Sequence, residues 1–240
     1  MANIYWIKGG ADAHWDTWDG NWFDDLDGTT GAGHVPQDGD FAYLTGATAP
    51  DNGPAVPVEL IGLDTSALAD DVTITSDVTA TETVVLGGRG TADVHTWNGA
   101  TSAGIKMKLQ GGAVVAGTTV EGTLTLMDNV NVSGIALFVG ITELNMHDSA
   151  TATGIVMTGA TVRVYGNNTI SNADEDLTIT GANIYIYGRL TINNTGANIL
   201  TGVPTIHLMN RIAQFIPVGS VTANVIPYRF ATAKRLRRIS

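Results

Sequence analysis

A short strand motif recurs seven times between residues 83 and 209, each time as two apolar residues separated by one variable position. The first residues of the copies are Val84, Ile105, Leu124, Leu144, Val162, Ile184 and Ile206, and their partners are Leu86, Met107, Leu126, Met146, Val164, Ile186 and Leu208. The steps between copies are 21, 19, 20, 18, 22 and 22 residues. A sustained period near twenty predicts a solenoid, in which each repeat stacks on its neighbours.

Further β-rich runs surround the motif in the later repeats, such as 177–179 before it and 190–192 after it, with Gly and Asn between them. Three short strands and three turns in about twenty residues indicate one coil of a parallel β-helix. No copy has the Leu-x-x-Leu-x-Leu-x-x-Asn pattern of a leucine-rich repeat. The variable coil length favours the right-handed kind over the stricter left-handed one. The predicted fold is all-β, a right-handed parallel β-helix of about seven or more coils.

The composition of the 240-residue chain restricts the setting in which it works. The chain has no cysteine, so disulfides do not stabilise it. Residues 1–10 lack the basic and apolar regions of a signal peptide, and no later segment has eighteen uninterrupted apolar residues. We therefore expect a soluble protein that is made in the cytoplasm and has no membrane partner.

Charge is divided unevenly along the chain. Residues 1–88 carry a net charge of −14, whereas residues 89–240 carry +3. Four bases lie in the last seven residues: Lys234, Arg235, Arg237 and Arg238. Such a run is either a solvated terminus or an electrostatic contact with an acidic partner. We expect no nucleic-acid partner, because phosphate would repel the acidic remainder of the protein.

The sequence divides into three segments, 1–56, 57–210 and 211–240. The first has no repeat and is rich in Trp and Asp, which predicts a cap or attachment segment, because the open end of a solenoid exposes apolar core and unpaired strands. The tryptophans that would shield this end or contact a partner are Trp6, Trp15, Trp18 and Trp22. The last segment breaks the repeat, and its prolines suit an irregular C-terminal β cap.

Residues between and after the inward motif pairs point outward and form two ladders. The first is predicted to contain Val85, Lys106, Thr125, Asn145, Arg163, Tyr185 and His207. The second begins with Gly87 and Lys108 and continues through Met127, His147, Tyr165, Tyr187 and Met209. The last five residues form a large, mostly apolar stripe, which on a soluble protein covers a partner or a ligand. Stacking between coils, a subunit interface and a sugar-binding face all stay open as its explanation.

Residues that could carry chemistry are few. Glycoside hydrolysis needs two carboxylates across a cleft, and polyuronide cleavage needs a base with cationic or metal help. The carboxylates of the central coils fall in different turns: Asp128, Glu143, Asp148 and the run 174–176. The acidic stretch 16–27 lacks the spacing of an EF-hand loop and indicates structural turns. We expect no enzymatic activity, no metal site and no cofactor.

Two short motifs resemble a known family. Residues 18–22 (Trp-Asp-Gly-Asn-Trp) and 35–40 (Val-Pro-Gln-Asp-Gly-Asp) resemble the opening that precedes right-handed β-helices in bacteriophage structural proteins and in some bacterial surface adhesins. The match spans about 25 residues and transfers no catalytic residue.

The resemblance implies an ancestry among virion or surface β-helix proteins, and the small size, the lack of a signal peptide and of cysteine and the irregular ends favour the phage side. We therefore expect a trimeric capsid decoration or cement protein on the virion surface, with the major capsid protein and copies of itself as partners. One alternative is a carbohydrate-active β-helix, which would be a lyase, a hydrolase or a binding module of tail-spike type. A fragment of a bacterial surface adhesin is another.

Overall fold

A computed structural model describes residues 2–7, 13–17, 20–87, 93–116, 120–133, 141–147, 149–153, 156–171, 177–195 and 200–229. These residues form 24 short β-strands joined by turns, and no helix occurs among them. Parallel pairing between strands of successive coils confirms the predicted all-β parallel solenoid of about seven turns.

Thirteen strands form one long sheet that runs the length of the column. In spatial order they are β2 (Trp22–Phe23), β1 (Asn3–Trp6), β3 (Phe41–Leu44), β4 (Val58–Asp64), β6 (Val78–Leu86), β9 (Ile105–Gln110), β11 (Gly122–Met127), β13 (Ile141–Met146), β16 (Thr161–Val164), β19 (Asn183–Ile186), β22 (Thr205–Leu208) and β24 (Asn224–Ile226), with β8 (Ala100–Thr101) paired to β6. All pairs are parallel except β2 with β1, which is antiparallel.

Three smaller sheets form the other sides of the coils. The first contains β5 (Val72–Ile74), β7 (Val94–Trp97) and β10 (Gly112–Val115). The second contains β12 (Asn131–Ser133), β14 (Thr151–Thr153), β17 (Asn167–Ser171), β20 (Arg189–Asn194) and β23 (Gln214–Gly219). The third contains β15 (Val156–Thr158), β18 (Leu177–Thr180) and β21 (Leu200–Thr201).

The core of the column is formed by the predicted inward residues. All of the motif pairs are fully buried except Leu208, which is partly exposed in the last complete coil. Neighbouring residues on the same strands alternate between buried and partly exposed, as in β16 and β19. Burying each of these side chains contributes about 1.5–3 kcal/mol, so the stack of coils supplies most of the stability.

One part of the predicted register is wrong. Val84 pairs with Met107 and not with Ile105, and Leu124 pairs with the same Met107. The steps on either side of β9 are therefore 23 and 17 residues rather than 21 and 19. A shift of two residues keeps every inward side chain inward, so the alternation of apolar and polar residues does not reveal it.

The predicted boundaries at residues 56 and 210 do not coincide with the ends of the long sheet. Two of its parallel strands, β1 and β3, lie in the first segment, and β24 lies in the last. The division into three segments thus describes sequence character, and its functional meaning stays a prediction.

Gly87 offers a test of how tightly the coils stack. It has a φ of +86°, and a Cβ added there would overlap the carbonyl oxygen of Gln110 in the next coil. Gly159 has a φ of +65° with nothing within 4 Å of an added Cβ. We expect Gly87→Ala to cost about 3 kcal/mol or more and Gly159→Ala about 1 kcal/mol, measured by urea unfolding. Equal costs would show that the backbone conformation alone decides both.

Candidate functional site

The predicted apolar stripe forms a continuous ladder beside the long sheet. Backbone amides of His147, Tyr165, Tyr187 and Met209 each donate to a carbonyl of the preceding coil, at 2.8–2.9 Å. The rings of His147 and Tyr165 stack at 4.7 Å between centroids, and those of Tyr165 and Tyr187 at 4.8 Å. The structure therefore brings these residues together with Met127, which ends β11 one coil earlier.

The stacking decides which part of each ring is available. Tyr165 lies between two nearly parallel rings, with interplanar angles of 13° and 8°, so both of its faces are covered. Sugar binding by aromatic stacking needs an uncovered ring face, and the inner ring of this ladder offers only its edge. All five side chains are half-buried in the single chain. Stacking between coils is therefore observed, and the subunit interface stays a prediction.

The beginning of both ladders differs from the prediction. The register at β9 places Lys108 beside Val85 in the first ladder, and Lys106 beside Thr83. Gln110, rather than Lys108, lies next to Gly87 at the start of the second ladder, and its amide donates to the Gly87 carbonyl at 2.7 Å. The second ladder consequently contains no Lys, Arg, Asp or Glu from Gly87 to Met209.

The first ladder carries a polar cluster on the outward face of the long sheet. Glu143 accepts hydrogen bonds from Arg163, with which it forms an ion pair, and from Asn145 at 3.2 Å. Tyr185 is the cross-strand neighbour of Arg163 and stacks on His207 at 4.6 Å. Glu143 and Arg163 are only partly buried, so their contact contributes little to stability.

A second aromatic group on the same face was missed from the sequence. Tyr43 stacks on Tyr5 at 4.8 Å and on Phe41 at 4.6 Å, near the N-terminal end of the long sheet. Burial raises the pKa of Tyr43, and Tyr5 and Asp64 add to the effect. The alternating Phe41-Ala42-Tyr43-Leu44 was the signal that could have revealed this strand.

Three of the predicted capping tryptophans pack together at the N-terminal end. The ring of Trp22 lies 5.1 Å from that of Trp6 and 4.9 Å from that of Trp15, both edge to face. Trp22 Nε1 donates to the Trp15 carbonyl at 2.7 Å, and Trp6 Nε1 to the Thr48 carbonyl at 2.8 Å. All three are buried. Trp18 and the basic residues Lys234, Arg235, Arg237 and Arg238 lie outside the described residues.

The acidic residues of the first segment hold turns. Both carboxylate oxygens of Asp16 accept from the Ala55 amide at 3.0 and 3.1 Å. Asp25 accepts from Thr29 and Thr30, and these hydrogen bonds, chiefly that from the Thr29 hydroxyl, lower its pKa to about 2. Within the part of the chain that the structure describes, no three acidic, His or Cys side chains are grouped to hold a metal ion. Asp148 and the run 174–176 are outside that part.

His95 is a buried titratable group in the coil walls. It lies on β7, and its Nδ1 is 2.7 Å from the Thr65 hydroxyl, which accepts from the Gly87 amide. Burial lowers its pKa below the usual 6.5, although Asp93, Asp70 and Asp71 oppose this shift.

We expect the stability of the column to decline as pH falls below about 6.5, because the unfolded chain then binds a proton that buried His95 resists. The contribution is fully present above that pH and is lost as pH falls through the lowered folded pKa. Melting temperatures of the wild type and of His95→Asn at pH 7.5, 6.5 and 5.5 test this. The wild type should lose stability over this range more steeply than the variant, and parallel profiles would contradict the assignment.

Comparison with protein-family models, with curated proteins and with solved structures finds no match. Among the described residues, no helix has the length and apolar character needed to cross a membrane. The fold and the arrangement of the ladders are therefore the basis for considering function.

Proposed function

We propose that the chain is a structural protein of a bacteriophage particle: a trimeric decoration or cement protein that binds the major capsid protein on the shell. The observation that carries the proposal is the second ladder from Gly87 to Met209, which runs along the stacked column and contains no Lys, Arg, Asp or Glu. The sequence resemblance to phage β-helix proteins supports the same class.

The length of the column suits a protein that projects from a shell. Eleven parallel strands follow one another from β1 to β24 in the long sheet. At a spacing of about 4.8 Å between strands, they span ~48 Å. A solenoid of this kind holds its shape through nearest-neighbour stacking between coils, which suits a mechanical role.

The second ladder permits side-by-side contact between parallel copies. In a parallel, in-register arrangement each coil meets the same coil of its neighbour, so a charged ladder would place like charges together. Lys108 and Arg163 make the first ladder unsuitable in this respect. The second ladder has no Lys, Arg, Asp or Glu that would face its own copy. Cyclic symmetry with three copies would bury the ladder of every copy in an interface.

Binding would act on the shell by mass action. A protein that binds the assembled shell but not its separated subunits stabilises the assembled state, by an amount that grows with the logarithm of its free concentration divided by its Kd. Three parallel columns would present three equal ends to a local three-fold position, so that each trimer gains from multivalent attachment.

The test uses capsid shells of the phage whose genome encodes this chain, prepared without the protein. We expect purified protein to co-sediment with these shells in multiples of three copies per site and to raise their melting temperature. Failure of the protein to bind the shells would overturn the proposal.

A carbohydrate-active β-helix is the second candidate, because the Glu143, Asn145 and Arg163 cluster lies beside Tyr185 on one exposed sheet face. Binding of bacterial capsular polysaccharide or release of unsaturated uronides, lost in Glu143→Gln, would favour it. A surface adhesin is the third candidate, and it would bind host surfaces without binding shells.

A further inference from the structure

The two ends of the column differ. At the N-terminal end, β2 covers the edge of β1, and Phe23 also bridges to Gly31. Trp6, Trp15 and Trp22 fill this end and are buried. At the other end, β24 and β23 are the last strands of their sheets within the described part of the chain. Among the described residues, the N-terminal end is thus covered by its own chain, whereas the last coil at the C-terminal end is uncovered.

Exposed apolar side chains gather at the C-terminal end. Ile212 is 75% exposed and Tyr228 is 41% exposed, and Val218, Val225 and Ile226 are also exposed. Beside them is an open hollow of about 430 Å³ lined by Leu208, Asn210, Arg211, Ala213, Pro227 and Tyr228. Exposed apolar side chains that gather in one patch mark an interaction surface.

The surroundings of the hollow are basic. Arg211 lines it, and the exposed Arg229 follows Tyr228 directly. From residue 177 to the end of the described part at residue 229, the sequence contains no Asp or Glu. This region stands out in a chain with a net charge of −11, so charge complementarity indicates an acidic partner.

A second copy of the chain does not fit this end. Two C-terminal ends facing each other would bring their bases together. Pro217 opposes the addition of a strand to β23. The Gln214 amide donates to the Gly188 carbonyl in the preceding coil, and the backbone N–H groups of successive strand residues point to opposite sides. Residue 217 therefore faces the free edge of β23, where a proline has no N–H group to donate. Head-to-tail stacking would meet the edge that β2 already covers.

We propose that the C-terminal end is the attachment end and that it binds an acidic segment of the shell protein. An apolar side chain of that segment occupies the hollow between Leu208 and Tyr228, and its carboxylates face Arg211 and Arg229. This inference rests on the proposed function and adds which end binds and which chemistry is recognised.

The experiment measures binding to shells for the full chain and two double variants. Ile212→Ser with Tyr228→Ser removes apolar surface from the C-terminal end. Leu26→Ser with Val56→Ser is the matched control, since these residues of the first segment are 62% and 73% exposed. We expect about tenfold weaker binding for the first variant, a change within about twofold for the control, and weaker wild-type binding at 500 mM than at 50 mM NaCl.

The outcomes separate this inference from the proposed function. If the wild type binds and only the control variant loses affinity, the inference is overturned and the proposed function stands. A C-terminal variant that binds normally but changes its sedimentation coefficient would show that a second copy covers this end, which also overturns it. A lower melting temperature of the C-terminal variant than of the wild type would show that Ile212 and Tyr228 are covered by other residues of the same chain, which overturns the inference as well. Absence of wild-type binding overturns both proposals.

Discussion

Ile186→Asp should unfold the column. Ile186 is fully buried on β19 between Val164 and Leu208 of the neighbouring coils. An unpaired carboxylate in this apolar stack costs several kcal/mol, and the total stability of a domain is only about 5–15 kcal/mol. Circular dichroism should show loss of the β signal at 25 °C, or a melting temperature lowered by more than about 10 °C.

The matched control is Asn183→Asp, which places the same carboxylate on the same strand at an exposed position. We expect its melting temperature to stay within about 2 °C of the wild type, since surface substitutions change stability little. Arg163→Ala should also be mild, because its ion pair with Glu143 is partly exposed. An Asn183→Asp variant less stable than Ile186→Asp would show that the inward and outward faces have been exchanged.

Tyr165→Ala combined with Tyr187→Ala should dissociate the proposed trimer. These rings lie inside the apolar stripe from Met127 to Met209, and aromatic residues away from the rim dominate the energy of an interface. Sedimentation velocity at micromolar concentration should show a trimer for the wild type and a monomer for the double variant. Circular dichroism should show that the monomer keeps its strands.

Tyr185→Ala with His207→Ala is the control for this prediction, because it removes a stacked pair from the neighbouring ladder on the same sheet. It should leave the trimer intact. Dissociation by the control alone would place the contact on the first ladder. A wild type that sediments as a monomer would mean that the second ladder serves stacking alone.

The sequence predicts the parallel β-helix well because inward and outward residues must alternate along the strand of every coil. A polar residue at an inward position such as Leu144 or Val162 would be buried without a partner, so the aliphatic pairs recur and can be counted. The register at β9 could not be predicted in this way, since Ile105, Met107 and Leu109 are all inward. The first two and the last two of these residues fit the motif equally well. The choice is made by longer-range contacts such as that of Gln110 with Gly87.

The candidate site could be predicted only in part. The ladder from Met127 to Met209 follows from spacing alone, because each member is the first residue after an inward pair. The stacking of Tyr43 on Tyr5 and Phe41 could not be found by spacing. The strands β1 and β3 pair with a step of 38 residues, from Asn3 to Phe41, and no copy of the motif has that step. The C-terminal hollow depends on where the last coil ends, which the broken repeat does not specify.

Cryo-electron microscopy of phage particles tests the central claim most directly, with particles that contain or lack this chain. We predict three-fold symmetric density projecting ~48 Å from the shell at local three-fold positions, with the C-terminal ends of the columns at the shell surface. The particles without the chain should lack this density and lose their DNA at a lower temperature. Shells that are identical in the two preparations, or density for the chain on the tail alone, would contradict the account.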